Sequence, residues 1–298
     1  MTAQEWKPGM EGVVYRLDAE KYHAEPGFSS SMAKHMEPPA RLPEYMRQPI
    51  EPTVSMIMGT LVRQRVLEPD KPLPALAVKP EGMKFSTTEG KAWKLAREAE
   101  KKIILTQAEF DAVIGCVNSI SNDPRCQQIF KAGESEVSLF KRHPNGVMCK
   151  ARMDFVPLGN CLVDIKKCQD GQAEKEEFSK LLYTARYYTQ AAWYLTLWNA
   201  LNPGEKQKTK FKFVAVEGEP PFLVNIITVN EQTMNLGVER MAANLMEFER
   251  CSRLKIWPGY RGETEVGIPP WAVSRENDKL HGSFIDKVRS ENTVDKER

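Results

Sequence analysis

The chain has no run of eighteen apolar residues, and its first residues, Met1 to Lys7, lack the basic-then-apolar layout of a signal peptide. These absences argue against a membrane-spanning helix and a secretory leader, and the expected location is the cytoplasm. No CxxC pair occurs among Cys116, Cys126, Cys149, Cys161, Cys168 and Cys251, and their spacing is irregular. A zinc or iron–sulfur centre is disfavoured, and free thiols are expected. A dominant charge is missing as well: 42 Lys and Arg balance 40 Asp and Glu, leaving a formal net charge of +2. Any nucleic-acid partner would have to be held by a local basic surface and metal ions. There is no internal repeat.

What remains is an ordinary globular composition, 41% hydrophobic and 28% charged over 298 residues, enough for a sizeable core in one or two domains. Ser29-Ser30-Ser31 opens a short helix toward Met36, which Pro38 and Pro39 end. A second helix is predicted from about Met56 to Leu67, an extended stretch between Pro72 and Pro80, and a charged helix from Thr87 to about Lys102. Thr106-Gln107-Ala108-Glu109 is a capping box for the next helix. Residues 136–141 alternate like a strand, His143-Pro144-Asn145-Gly146 carries the Asn-Gly hairpin signal, and 147–157 and 161–167 continue as strands. The pattern predicts a three-stranded meander. One long helix is expected over 173–200, strands over 211–216 and 222–229, and a helix over 231–253. The expected class is α/β (α+β), a central mixed sheet flanked by helices. Residues 1–272 are expected to form one domain, with a helical segment over about 1–105, and the polar residues 273–298 a mobile tail.

The chemistry concentrates in the meander. Strand residues two apart share a face, so Asp164 and Lys166 point together while Val163 and Ile165 point to the core. Lys150, Arg152 and Asp154 share a face of the preceding strand. Two carboxylates held close stay ionised only with positive charge between them, and a hard divalent cation meets that need. Such an ion activates water and offsets phosphate charge, and a lysine beside it orients that water or helps to deprotonate it. An Asp-x-Lys pair alone is more often a charge pair on an exposed strand, and adding Asp154 leaves the matter undecided. On helical spacing, Tyr183, Tyr187, Gln190 and Tyr194 form one stripe, which by periodicity alone is core packing.

Cys149-Lys150-Ala151-Arg152-Met153-Asp154-Phe155, followed by Leu162-Val163-Asp164-Ile165-Lys166, resembles the C-terminal nuclease domain of RecE-type exodeoxyribonuclease VIII. That domain is a phage and prophage branch of the RecB-like PD-(D/E)xK superfamily. The likeness extends over roughly residues 12–272. It includes Tyr22-His23-Ala24-Glu25-Pro26-Gly27-Phe28-Ser29, Gly59-Thr60-Leu61-Val62-Arg63 with Leu67-Glu68-Pro69, and Glu134-Ser135-Glu136-Val137-Ser138. Val216-Glu217-Gly218-Glu219-Pro220-Pro221-Phe222 and Ile268-Pro269-Pro270-Trp271-Ala272 match later signatures.

The resemblance implies a restriction-endonuclease-like core. It makes Asp154, Asp164 and the main-chain carbonyl of Ile165 metal ligands, Lys166 the catalytic lysine and Glu136 a supporting acid. It assigns Gln190 and Tyr194 to a Gln-x-x-x-Tyr motif that braces the carboxylates or contacts DNA, whereas Tyr183 stays a packing residue. Arg152 and Arg63 join the expected DNA contacts. The implied activity is Mg²⁺-dependent (with Mn²⁺ able to substitute) digestion of linear double-stranded DNA from the 5′ end. The 3′ single strand left behind would go to a single-strand annealing recombinase, and the enzyme would be a ring-forming homo-oligomer in the bacterial cytoplasm. Arg63 departs from the family, which has a metal-ligating histidine there; arginine has no lone pair to give, and it could instead grip a phosphate or pair with a carboxylate. His35 could substitute in space, although a surface role is the more ordinary one for it. Glu68 and Glu217 are taken as helix-end and turn residues. Alternatives are an endonuclease or single-strand-specific nuclease of the same fold, and a nuclease-dead DNA-binding scaffold.

Overall fold

The structure is a computed structural model that describes residues 6–48 and 51–294. The chain divides into a large unit ending at Gly259 and a second beginning at Tyr260.

The large unit opens with strand β1 (Gly12–Val14) and the short helices α1 (Ala19–Ala24), α2 (Ser30–Ala33) and α3 (Arg41–Arg47). Helix α4 (Val54–Leu67) and strand β2 (Leu76–Val78) follow, then α5 (Thr88–Ala99), β3 (Ile103–Leu105), α6 (Gln107–Asn122) and α7 (Pro124–Phe130). Several starts carry the side-chain caps read from sequence: Ser29 on α2, Thr87 on α5, and both halves of the Thr106–Glu109 capping box on α6. Helix α2 stops at Ala33, short of the expected Met36.

The expected meander is present as β4 (Gly133–Arg142), β5 (Met148–Pro157) and β6 (Cys161–Cys168), each antiparallel to the next. The single helix expected over 173–200 is two, α8 (Lys175–Thr184) and α9 (Tyr187–Leu201). Arg186 breaks them with a left-handed backbone, φ 58°, and is tied by an ion pair to Glu37 at 2.5 Å and a hydrogen bond to the Tyr188 hydroxyl at 3.1 Å. Strands β7 (Lys210–Glu217) and β8 (Val224–Thr228) and helix α10 (Glu231–Leu254) complete the unit.

The main sheet runs β1-β4-β5-β6-β7-β8, antiparallel except for the parallel β6–β7 pair, whose crossover is α8 and α9. A parallel neighbour needs such a crossover, and the helices pack back on the sheet. On β6 and β7 the alternation sorts side chains by face. Leu162, Phe211, Phe213 and Ala215 join a core cluster with α9 and α10, while Val163, Ile165, Val214 and Val216 join another with α4 and α6. Both faces are covered, as expected. Helix α9 is buried nearly all round, since sheet and α10 enclose it.

In the second unit, helix α11 (Pro270–Val294) runs through most of the polar segment 273–298 that was expected to be a mobile tail. Among the described residues all six cysteines are free, and no helix is long and apolar enough to cross a membrane.

Candidate active site

The site is built at a fork in the sheet. Strands β5 and β6 are in register at Phe155 and Val163. Further along, the edge of β5 takes residues near Phe28 instead: the Phe28 amide donates to the Met148 carbonyl at 2.7 Å, and the Lys150 amide to the Phe28 carbonyl at 2.9 Å. The segment Tyr22 to Ser29 is thus a wall of the fork. Buried Lys150 fastens it by donating from Nζ to the carbonyls of Tyr22, His23 and Glu25 at 3.1, 3.3 and 2.5 Å.

Inside the fork, a side chain replaces a ladder bond. Asp154 Oδ2 accepts from the Ile165 amide at 2.9 Å, which places the two strands' acids beside each other. The alternation of β5 slips here, because Met153 and Phe155 lie in opposite core clusters although they are two residues apart. Opposite, Glu136 has a left-handed backbone, φ 51°. That conformation costs a non-glycine residue on the order of 1–3 kcal/mol, and such outliers cluster at functional sites.

Asp164 is 1% exposed and has two partners from different elements. Gln190 Nε2, in the first turn of α9, donates to Oδ1 at 2.7 Å, and the Lys166 ammonium lies 2.6 Å from Oδ2. Lys166 also donates to Gln190 Oε1 at 3.1 Å, closing a triangle of Asp164, Lys166 and Gln190. Burial, and next the charge of Asp154, push the Asp164 carboxyl up to about 6. Burial pulls Lys166 down, but the charges of Asp164 and Asp154 and the contact with the Asp164 carboxylate outweigh it and leave its pKa raised. Lys166 is therefore an ammonium group at neutral pH, suited to stabilising charge rather than to removing a proton.

The arginines turn inward. Arg63 places Nε 3.2 Å from Glu136 Oε1 and Nη1 3.2 Å from Asp154 Oδ1. Arg152 donates from Nε to Glu136 Oε2 at 2.6 Å and from Nη1 to the Leu17 carbonyl at 2.8 Å. Arg152, expected at DNA, spends these donors on the protein, and of the two partners expected for Arg63, a phosphate or a carboxylate, the structure shows carboxylates. Tyr194 is buried in the core edge-on to Phe211, its hydroxyl pKa raised foremost by burial. Tyr183 lies on α8, exposed and stacked on Tyr188, so the helix break removes it from the stripe. His35 stacks on Tyr45 at 4.0 Å, and no hydrogen bond joins it to the acids. Glu217 is buried and accepts from the Ala173 amide at 3.2 Å, tying the crossover to β7.

Lys34 was passed over in the sequence. Its ammonium lies 5.5 Å from the centre of the Tyr187 ring, and that of Lys166 lies 4.6 Å from the same ring. Burial, with Lys166 adding to it, lowers the Lys34 pKa to about 8. Only its place at the end of the short helix that Ser29-Ser30-Ser31 opens could have drawn attention to it.

No group of three or more His, Cys, Asp or Glu with metal-binding geometry occurs among the described residues. The donors nevertheless fit a hard divalent ion, because Mg²⁺ needs only one or two carboxylates beside water and substrate phosphate. Asp164 Oδ2 is buried against the Lys166 ammonium at 2.6 Å, and a carboxylate oxygen so placed keeps a second lone pair for such an ion. A cavity of about 1050 Å³ borders the β5–β6 turn near Pro157, Trp198 and Lys208, and Glu136, Asp154 and Asp164 do not line it.

The family described as "PDDEXK-like domain of unknown function (DUF3799)" matches residues 29–268. The chain belongs to that family. Its fold is similar to the crystal structure of a "putative exonuclease" from Eubacterium rectale. The two share 16% identity at a TM-score of 0.57, over 85% of this chain and 97% of that one. A protein named SSO0001 aligns at 15% identity over 73% of this chain and 84% of its own, with a TM-score of 0.28 too low to carry an argument. No curated protein sequence matches. The fold is therefore the PD-(D/E)xK nuclease core, a mixed sheet between helical layers, whose enzymes typically use divalent metals.

Proposed function

We propose that the protein is a Mg²⁺-dependent exodeoxyribonuclease that hydrolyses linear double-stranded DNA. The observation that carries this reading is the triangle of Asp164, Lys166 and Gln190 beside Asp154 in the β5–β6 fork. Asp154 and Asp164 would hold the ion, with the Ile165 carbonyl as a further ligand. When bound, the ion supplies a more acidic water and stabilises charge on the phosphate. Lys166 stays protonated and offsets charge that develops on the phosphoryl oxygens. Gln190 fixes both partners from the rigid start of α9. Lys34 faces the Tyr187 ring beside Lys166 with no carboxylate partner among the described residues, and it would take a DNA phosphate next to the scissile one.

Digestion from the 5′ end, a 3′ strand passed to an annealing recombinase and assembly into a ring in the bacterial cytoplasm complete the proposal; they rest on the sequence resemblance. Ring closure would let a subunit of net charge +2 stay on its substrate. The test is a time course on linear duplexes labelled separately at each end, beside covalently closed circles. Wild type with Mg²⁺ should release the 5′ label first and spare the circle, and Lys166→Ala should lose at least about a hundredfold in rate while still binding ends. Full activity in Lys166→Ala would overturn the site, and cleavage of the circle would overturn end dependence.

A further inference from the structure

Three acids of the fork face three cations. Glu136, Asp154 and Asp164 lie with Arg63, Arg152 and Lys166, so the cluster balances its charge within the protein. Arg63 is the member that joins two acids from different strands, Glu136 on β4 and Asp154 on β5. A guanidinium cannot be deprotonated in a protein and cannot ligate a metal, so its charge is permanent and holds its own place. Glu136 is further held by Arg152, whose fork is anchored on the Leu17 carbonyl and is not available to replace Arg63.

We infer that Arg63 is a built-in cation of the acid cluster: it orders Glu136 and Asp154 without metal and restricts the chain to a single divalent ion on the Asp164 side. The bridge stands on geometry, and the ion rests on the nuclease reading above. Arg63 is a positioning residue here, acting through Asp154.

The test uses the full chain, Mn²⁺ as the probe, and two readouts besides activity: calorimetric stoichiometry and thermal melting. Wild type should bind a single Mn²⁺ per chain. Arg63→Gln leaves Glu136 and Asp154 short of a cation, so without metal it should melt below wild type. Mn²⁺ should raise its melting temperature more than that of wild type and bind about tenfold more tightly, since a nearby positive charge has been removed. Arg63→Lys, which keeps the charge, should show the smaller change in Mn²⁺ affinity.

Two Mn²⁺ ions in wild type would overturn the inference, and that measurement needs no variant to fold. So would an Arg63→Gln chain that melts like wild type without metal and binds Mn²⁺ with the same affinity. The failures are separable. If wild type binds one Mn²⁺ and Arg63→Gln behaves as expected, yet no DNA is digested, the nuclease reading falls and Arg63 keeps its role. If digestion proceeds while Arg63→Gln is indistinguishable from wild type, the reverse holds. Absence of Mn²⁺ binding in wild type would overturn both.

Discussion

Gln190 Nε2 donates to Asp164 Oδ1 at 2.7 Å, joining the first turn of α9 to the middle of β6 across 26 residues of chain. The amide's other end accepts from Lys166, so one side chain sets the positions of an acid and a lysine that share a strand face. Gln190→Leu keeps the volume and removes both contacts. We expect a loss of about 10–100-fold in metal affinity or activity, as for other residues that orient metal ligands. Destabilisation of about 1–3 kcal/mol should accompany it, because a buried carboxylate oxygen loses its donor. Calorimetry with Mn²⁺ and urea melts check both, and unchanged Mn²⁺ affinity would show that Gln190 is packing alone.

Asp164 also sets a pH dependence. Its carboxyl titrates at about 6 in the folded chain, against about 3.9 for an unfolded aspartate. Between those values the folded state holds a proton that the unfolded state has shed, so its contribution to stability falls as pH rises from about 4 to about 6. Metal-free melting temperatures of wild type minus those of Asp164→Asn should slope downward over that window. Saturating Mn²⁺ should flatten the slope by favouring the ionised carboxylate. A flat difference without metal would refute the assignment.

Much of this site was legible because period-2 alternation is a local property. Asp164 and Lys166 share a face for the same reason that Val163 and Ile165 reach the opposite core. A carboxylate partner for Arg63 was one of two readings. Which acids it meets, and the inward turn of Arg152, were not legible, since both depend on Glu136 lying opposite in β4, 73 residues from Arg63. The break between α8 and α9 was hidden too. It falls at an arginine rather than a glycine, and its left-handed backbone is supported by the distant Glu37. The helix over 270–294 lay in a polar segment where an apolar stripe gave no signal.

Lys34 should respond to both salt and pH. If its ammonium meets a phosphate, Lys34→Gln should weaken duplex binding and reduce the slope of log K against log salt by about 0.9. With a pKa near 8 in the free protein, wild-type binding should weaken as pH rises above 8, because the neutral amine must regain a proton to bind. Lys34→Arg should keep the contact and abolish that loss. Fluorescence anisotropy with Ca²⁺ in place of Mg²⁺ would measure binding without cleavage. An unchanged salt slope in Lys34→Gln would remove Lys34 from the interface.

The placement of α9 rests on a close crossing with α10 at Gly237. A Cβ there would come within 2.6 Å of the Tyr188 carbonyl and 2.7 Å of the Ala192 Cβ, closer than packed atoms tolerate. The Tyr188 carbonyl belongs to backbone and cannot swing aside, so Gly237→Ala must push the two helices apart. Overpacking of this kind costs about 1–3 kcal/mol. Because Gln190 lies between Tyr188 and Ala192 on α9, the same change should also weaken Mn²⁺ binding, although Gly237 touches none of the acids. Urea unfolding and Mn²⁺ calorimetry on Gly237→Ala test the two effects together. A chain that loses stability with Mn²⁺ affinity intact would mean that the Asp164–Gln190 contact tolerates movement of α9. Unchanged stability would mean that α10 does not hold α9 in place.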